Sequence, residues 1–343
     1  MTFLRSPWLP ALLVFAVGVA LAGAGPVNGD AAVYLDQAAD GALAERWTHS
    51  GFIMILMMFH AIGLPEGAAD VLSAACCAFA VGRLGATLGR HGSPGLAGWL
   101  LAGLVVGWAP FGEVDPVWLA LVAVGCGPHA IASAVALGAA VAVSPTALAA
   151  IPWIVMKERD LRWVGPAVAV AGLTVLSAGD WWVGTRGVVT GGWAPSPWTH
   201  VTWVLVPLAM GVRGLRPLDA LALVGLLAPG DVPGHWVLAL PCVAAASTAV
   251  DRRWWAAIAA LCSLGAQHAV STRDRAVREN AAIERIAAEI RPGDAVVGPW
   301  SWGVRVGIAA TGDPYGVPFS AQREPCQGRR VHVPLVTWEP CER

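Results

Sequence analysis

The chain has 343 residues, 56% of them hydrophobic and 13% charged, with a formal net charge of −1. Soluble domains carry roughly a quarter of charged residues, and a soluble chain this long needs more polar surface than this to cover its core. The balance argues against an ordinary soluble enzyme, and no basic, aromatic-rich stripe points to nucleic acid.

At the N-terminus, Arg5 precedes an apolar run from Trp8 to Ala22 that ends in Ala22-Gly23-Ala24. This reads as an uncleaved first helix, the alternative being a cleaved signal peptide. Either way the next segment lies outside the cytoplasm. That first outside loop, 26–67, carries an amphipathic helix expected over Ala31–Ala44 and an apolar stretch, Phe52–Leu64, too short to span comfortably. Both are expected to lie along the outer membrane surface. Asp30 sits at the exit of the first helix, where a carboxylate can serve as a base. Its place ahead of Ala31 equally suits a helix N-cap.

Polar punctuation cuts the chain into spans at 8–25, 68–89, 95–110, 115–127, 129–143, 145–157, 163–178, 199–212, 218–229, 236–250 and 254–270. Several fall short of the roughly 20 residues that cross a hydrocarbon core. With the N-terminus inside, the inner segments carry Arg5, Arg83, Arg90, Lys157, Arg159, Arg162, Arg213, Arg216, Arg252 and Arg253, and the outer loops before the C-terminal tail carry only Arg46 and Arg186. Ten against two obeys the positive-inside rule. The expectation is therefore a polytopic α-helical protein of the inner membrane with about eleven spans, N-terminus in and C-terminus out. Acidic residues favour the other side, with Asp30, Glu113 and Asp115 among them.

From Ser271 the composition turns soluble. The division expected is a transmembrane domain over 1–270 and a small extracytoplasmic α/β domain over 271–343. Val277–Ile290 reads as an amphipathic helix, 295–298 as a buried strand, 303–310 as a second helix and 331–336 as a last strand. Cys326 and Cys341 flank that strand, and in an oxidising compartment they are expected to pair. The remaining cysteines fall in apolar spans as core residues.

The order of these parts resembles the GT-C membrane glycosyltransferases, the group that includes protein mannosyltransferases and the lipid A aminoarabinose transferase. The resemblance is carried by Asp30 and the surface helix, His49-Ser50-Gly51-Phe52, the basic turn from Arg83 to Arg90, and Gly112-Glu113-Val114-Asp115-Pro116. It continues in Gly138–Leu148 with Ser144-Pro145, in His235-Trp236-Val237-Leu238-Ala239-Leu240-Pro241, and in Gly293–Trp300. The resemblance implies transfer of a sugar from a polyprenyl-phosphate donor to a lipid, glycan or protein acceptor on the outer side of a bacterial inner membrane. Carried over to this chain, the first-loop acid is Asp30 and the second-loop acid Glu113 or Asp115. Arg46, Arg186, His200 and His235 are the outside candidates for the donor phosphate, and the resemblance leaves room for a divalent metal ion. A non-catalytic membrane scaffold and, further off, a transporter are the competing readings. Transporters place ionisable residues deep within spans, which these spans largely lack. Convergence of the acids is the feature that separates transferase from scaffold.

Overall fold

The computed structural model describes residues 6–41, 49–65, 67–112, 114–144, 147, 164–169, 255–320 and 327–341. The fold is mostly helical, with one small sheet near the C-terminus. In chain order come α1 (Trp8–Leu21), α2 (Gly29–Asp40), α3 (Ser50–Ala61), α4 (Gly67–Leu88), a 3₁₀ turn at Gly89–His91, α5 (Pro94–Val105), α6 (Val114–Gly125) and α7 (Ala130–Val143). After a helical stretch at 164–169, they are followed by α8 (Trp255–Glu289), β1 (Ala295–Val297), α9 (Trp300–Thr311), β2 (Phe319–Ser320), β3 (Arg329–His332) and β4 (Thr337–Pro340).

The expected run of spans does not form among the described residues. Among the described residues one helix, α4, with 22 residues, is long and apolar enough to cross a membrane. The apolar helices α1, α3, α5, α6 and α7 have only 12 to 14 residues. At 1.5 Å per residue that is about 20 Å, short of a hydrocarbon core of about 30 Å. The cause is local. Gly127-Pro128 separates α6 from α7, and α5 gives way after Val105 to turns running through Gly107 and Pro110. Hydropathy reads such runs as spans although their helices stop early. The segment expected at 163–178 is described only at 164–169, and those at 145–157 (but for Ala147), 199–212, 218–229 and 236–250 lie outside the described residues.

Helix α4 is the hub, packing on α1, α5 and α6. It runs antiparallel to α1: a Cβ on Gly82 would lie 2.4 Å from the Trp8 ring, and one on Gly18 would lie 2.5 Å from Ala74 Cβ. Pro94 opens α5 where its missing N–H costs nothing, with Ser93 Oγ accepting the Leu96 N–H at 3.3 Å as the cap. The core between these helices holds Val14, Phe52, Leu84, Leu101, Trp118 and Leu137. The antiparallel arrangement gathers Asp70 and Asp115 at one end, while Arg83 lies in the far half of α4 and Arg90 just past its end.

Helix α8 spans 35 residues without a break. It joins the last expected span, 254–270, to the expected Val277–Ile290 helix, because no Gly or Pro falls between Gln267 and Ile290. It packs along α5, with the Trp108 and His268 rings 5.5 Å apart, and ends at the acidic end of the bundle. There the sheet has the order β2-β1-β3-β4, with β1 parallel to β2 and β3, and β4 antiparallel to β3. The expected αβαβ unit thus gains β2 and β4. Helix α9 connects β1 to β2, and Ile286, Val296, Trp302, Val306 and Val331 form a separate small core. Arg305 of α9 is buried there. Burial lowers its pKa from the ordinary value, against the stabilising Glu279 carboxylate.

Candidate functional site

Helix α2 carries Asp30, and the residue before the helix decides how that aspartate is read. Asn28 is the N-cap: its backbone is extended and its Oδ1 accepts the Ala31 N–H at 2.7 Å. Asp30 therefore lies within the first turn, and capping does not account for it. Gly41 closes the helix in the left-handed conformation at φ 71°.

Asp115 lies in the first turn of α6, is buried, and accepts the Trp118 indole N–H at 2.6 Å. It is near enough to Asp30 for the charges to repel one another. Two acids from separate loops, both named by the same resemblance, thus lie at one end of the bundle. Glu113, Arg46, Arg186, His200 and His235 lie outside the described residues, as does Cys326. Cys341 is disulfide-bonded. Cys76 and Cys262 are free thiols. Among the described residues no three His, Cys, Asp or Glu side chains form a group that could hold a metal ion, so no chemical step is written through one.

Asp70 is not among the site candidates that the sequence puts forward. This buried carboxylate opens α4 and accepts two backbone N–H groups, from Gly23 at 2.6 Å and Gly112 at 2.7 Å. It joins the loop leading to Asp30 to the loop leading to Asp115. An acid in the first turn of a mostly apolar helix was the available signal, since such a group needs partners when buried. Beside it opens a cavity of about 210 Å³ walled by Pro26, Val27, Ala31, Leu35, Gly112 and Asp70. Asp30 and Asp115 are not among its walls.

The His49–Phe52 motif has a packing role. His49 Nδ1 lies 3.1 Å from the Val143 carbonyl oxygen, and a Cβ on Gly51 would meet the Ala142 carbonyl at 2.9 Å. Tyr34 of α2 sits edge-on to both His49 and Phe52, at 5.4 and 5.7 Å between ring centroids. The start of α3 is thereby fixed to the end of α7 and to the helix that carries Asp30. His60 lies exposed in the last turn of α3.

No protein-family model, curated protein or solved structure matches the chain.

Proposed function

We propose that the chain is a membrane-bound glycosyltransferase that moves a sugar from a polyprenyl-phosphate donor to an acceptor hydroxyl or amine on the outer side of a bacterial inner membrane. The observation that carries this reading is that Asp30 and Asp115 follow the two loops that Asp70 ties together, at one end of the bundle. It is supported by the resemblance of the order of parts to the GT-C enzymes and by the hydrophobic outer faces of the helices. Trp8, Leu12, Phe15 and Val19 are exposed at helical spacing on α1, as are Met54, Met58 and Ile62 along α3, and Ile131 and Val135 on α7. Stripes of this kind suit contact with lipid chains.

In the reaction, the acceptor oxygen or nitrogen bonds to C1 of the sugar as the bond from C1 to the phosphate oxygen breaks. The polyprenyl phosphate leaves with the electron pair. Asp30 takes the acceptor's proton as attack develops. Asp115, which accepts the Trp118 indole N–H, is the second acid in this reading. The leaving phosphate needs positive charge or N–H donors, a role assigned to Arg46, Arg186, His200 or His235.

The test is sugar transfer by purified protein in lipid vesicles, with polyprenyl-phosphate sugars labelled in the sugar as donors and outer-membrane or cell-wall glycolipids as acceptors. Wild type should transfer label, and Asp30→Asn and Asp115→Asn should not. A well-folded wild type that transfers from none of the donors sinks the reading and favours the scaffold.

A further inference from the structure

One side chain joins the C-terminal domain to the loop that delivers Asp30. Asn280 of α8 donates from Nδ2 to the Ala24 carbonyl at 2.8 Å and to the Pro26 carbonyl at 3.3 Å. The oxygen of the same amide accepts from Arg305 of α9. That contact fixes which way the amide points, because a flipped amide would set its NH₂ against a guanidinium and its oxygen against two carbonyls. Arg305 is held in turn by Glu279 at 3.0 Å and is only 4% exposed. Three residues beyond Pro26, Gly29 is pressed against α9: a Cβ there would lie 2.6 Å from the Trp300 ring and 2.9 Å from the Ser301 backbone. Asp30 follows immediately.

We propose that Asn280 is a positioning residue: through Arg305 and the carbonyls of Ala24 and Pro26 it sets the place of Asp30, which makes the C-terminal domain part of the site. The inference rests on the glycosyltransferase reading. The loop between α1 and α2 has no regular structure of its own, and its backbone groups must find partners elsewhere. Asp70 supplies one from α4 and Asn280 supplies the other from α8. Asn280 does not touch the Asp30 carboxylate, and its effect runs through the backbone.

Asn280→Asp separates the two ends of the amide. The new carboxylate keeps its contact with Arg305, so the domain stays closed, but it presents oxygen to the Ala24 and Pro26 carbonyls and releases them. Two readouts are taken on the full-length protein. Amide exchange, read by mass spectrometry, should rise in peptides covering 22–32 and stay at the wild-type level in β1 and β3. Sugar transfer should lose roughly 10–100-fold in kcat, with the KM for the polyprenyl-phosphate donor nearly unchanged, as expected when a reacting group is displaced by about an ångström. Exchange over 22–32 that does not change overturns the proposal, and so does full activity in a variant whose loop has loosened. Asn280→Ala is the second variant. If both variants lose protection in β1 and β3, Asn280 holds the domain together rather than the loop, and the proposal falls. Should wild type transfer no sugar, the functional reading fails with the positioning role, while the exchange measurement still decides whether Asn280 holds the loop.

Discussion

His49 Nδ1 lies 3.1 Å from the carbonyl oxygen of Val143, so with Nδ1 protonated the ring donates to the last turn of α7. Two segments that were picked out separately in the sequence, His49–Phe52 and Gly138–Leu148, thus meet in space. Their meeting depends on Gly51, whose missing side chain lets the backbones of α3 and α7 come together. Gly51→Ala should force them apart, since the added Cβ would sit 2.9 Å from the Ala142 carbonyl carbon and oxygen. Overpacking of this kind costs about 1–3 kcal/mol. Thermal unfolding in detergent should show a lowered midpoint for Gly51→Ala and almost none of that loss for Ser50→Ala. Equal midpoints for Gly51→Ala and wild type would remove the close approach.

Asp70 offers a sharper contrast between two substitutions. Asp70→Ala strands the Gly23 and Gly112 N–H groups, whereas Asp70→Asn keeps one acceptor oxygen. Gly23 is exposed and water can replace the lost bond there, so most of the penalty falls on the half-buried Gly112. A stranded donor costs about 1–3 kcal/mol, and the alanine variant should lose about that much while the asparagine variant loses less. Midpoints in the reverse order would mean that Asp70 does not tie the two loops together.

Asp30 and Asp115 stand out in the sequence because a carboxylate beside an apolar run is conspicuous whatever the fold. The helix under Asp30 was legible too, but its start was misjudged: asparagine and aspartate both suit a cap, and only the Asn28–Ala31 bond shows that Asn28 is the one that caps. Helix length was not legible. A glycine or proline past Val105 or Gly125 ends a helix without lowering the hydropathy of the window around it, so turns passed for the ends of spans. The change of composition at Ser271 does not end a helix: α8 continues, with Ser271 Oγ merely donating to the His268 carbonyl at 2.9 Å. The tie that Asp70 makes is not legible, because its partners are backbone groups far away in the chain, which carry no letter in the sequence.

The C-terminal domain should be sensitive to acid through Asp294. Burial pushes this carboxyl up, but the Arg329 side chain at 2.8 Å, the Arg329 N–H at 2.7 Å and the Arg291 N–H at 3.0 Å outweigh it and hold the pKa below its ordinary value. A depressed folded-state pKa contributes stability that is fully present above the unfolded value, about 3.9, and is lost as pH falls through the folded value. The urea midpoint of the domain should therefore fall below about pH 4 in wild type. Hydroxyl-radical footprinting of Trp338, which lies 4.2 Å from the Arg329 guanidinium, gives the readout. In Asp294→Asn the midpoint should be lower at neutral pH and nearly flat through the same range. A wild-type curve as flat as the variant's would refute the assignment.

The last contrast separates capping from chemistry at the start of α2. Asn28→Ala removes the acceptor of the Ala31 N–H and should cost about 0.5–2 kcal/mol, visible as a lowered unfolding midpoint. Asp30→Asn leaves that cap intact. It gives up a favourable interaction with the helix N-terminus of about 0.3–1 kcal/mol, but it also removes the repulsion between the Asp30 and Asp115 charges. These effects oppose each other, so the stability of Asp30→Asn should stay near wild type. Its transfer rate should nevertheless fall by about 10²–10⁴-fold, the loss expected for a general base. Asp36→Asn and Asp40→Asn, farther along the same helix, should transfer normally. If Asp30→Asn transfers at the wild-type rate with its stability intact, the base is elsewhere, and Asp115→Asn becomes the deciding variant.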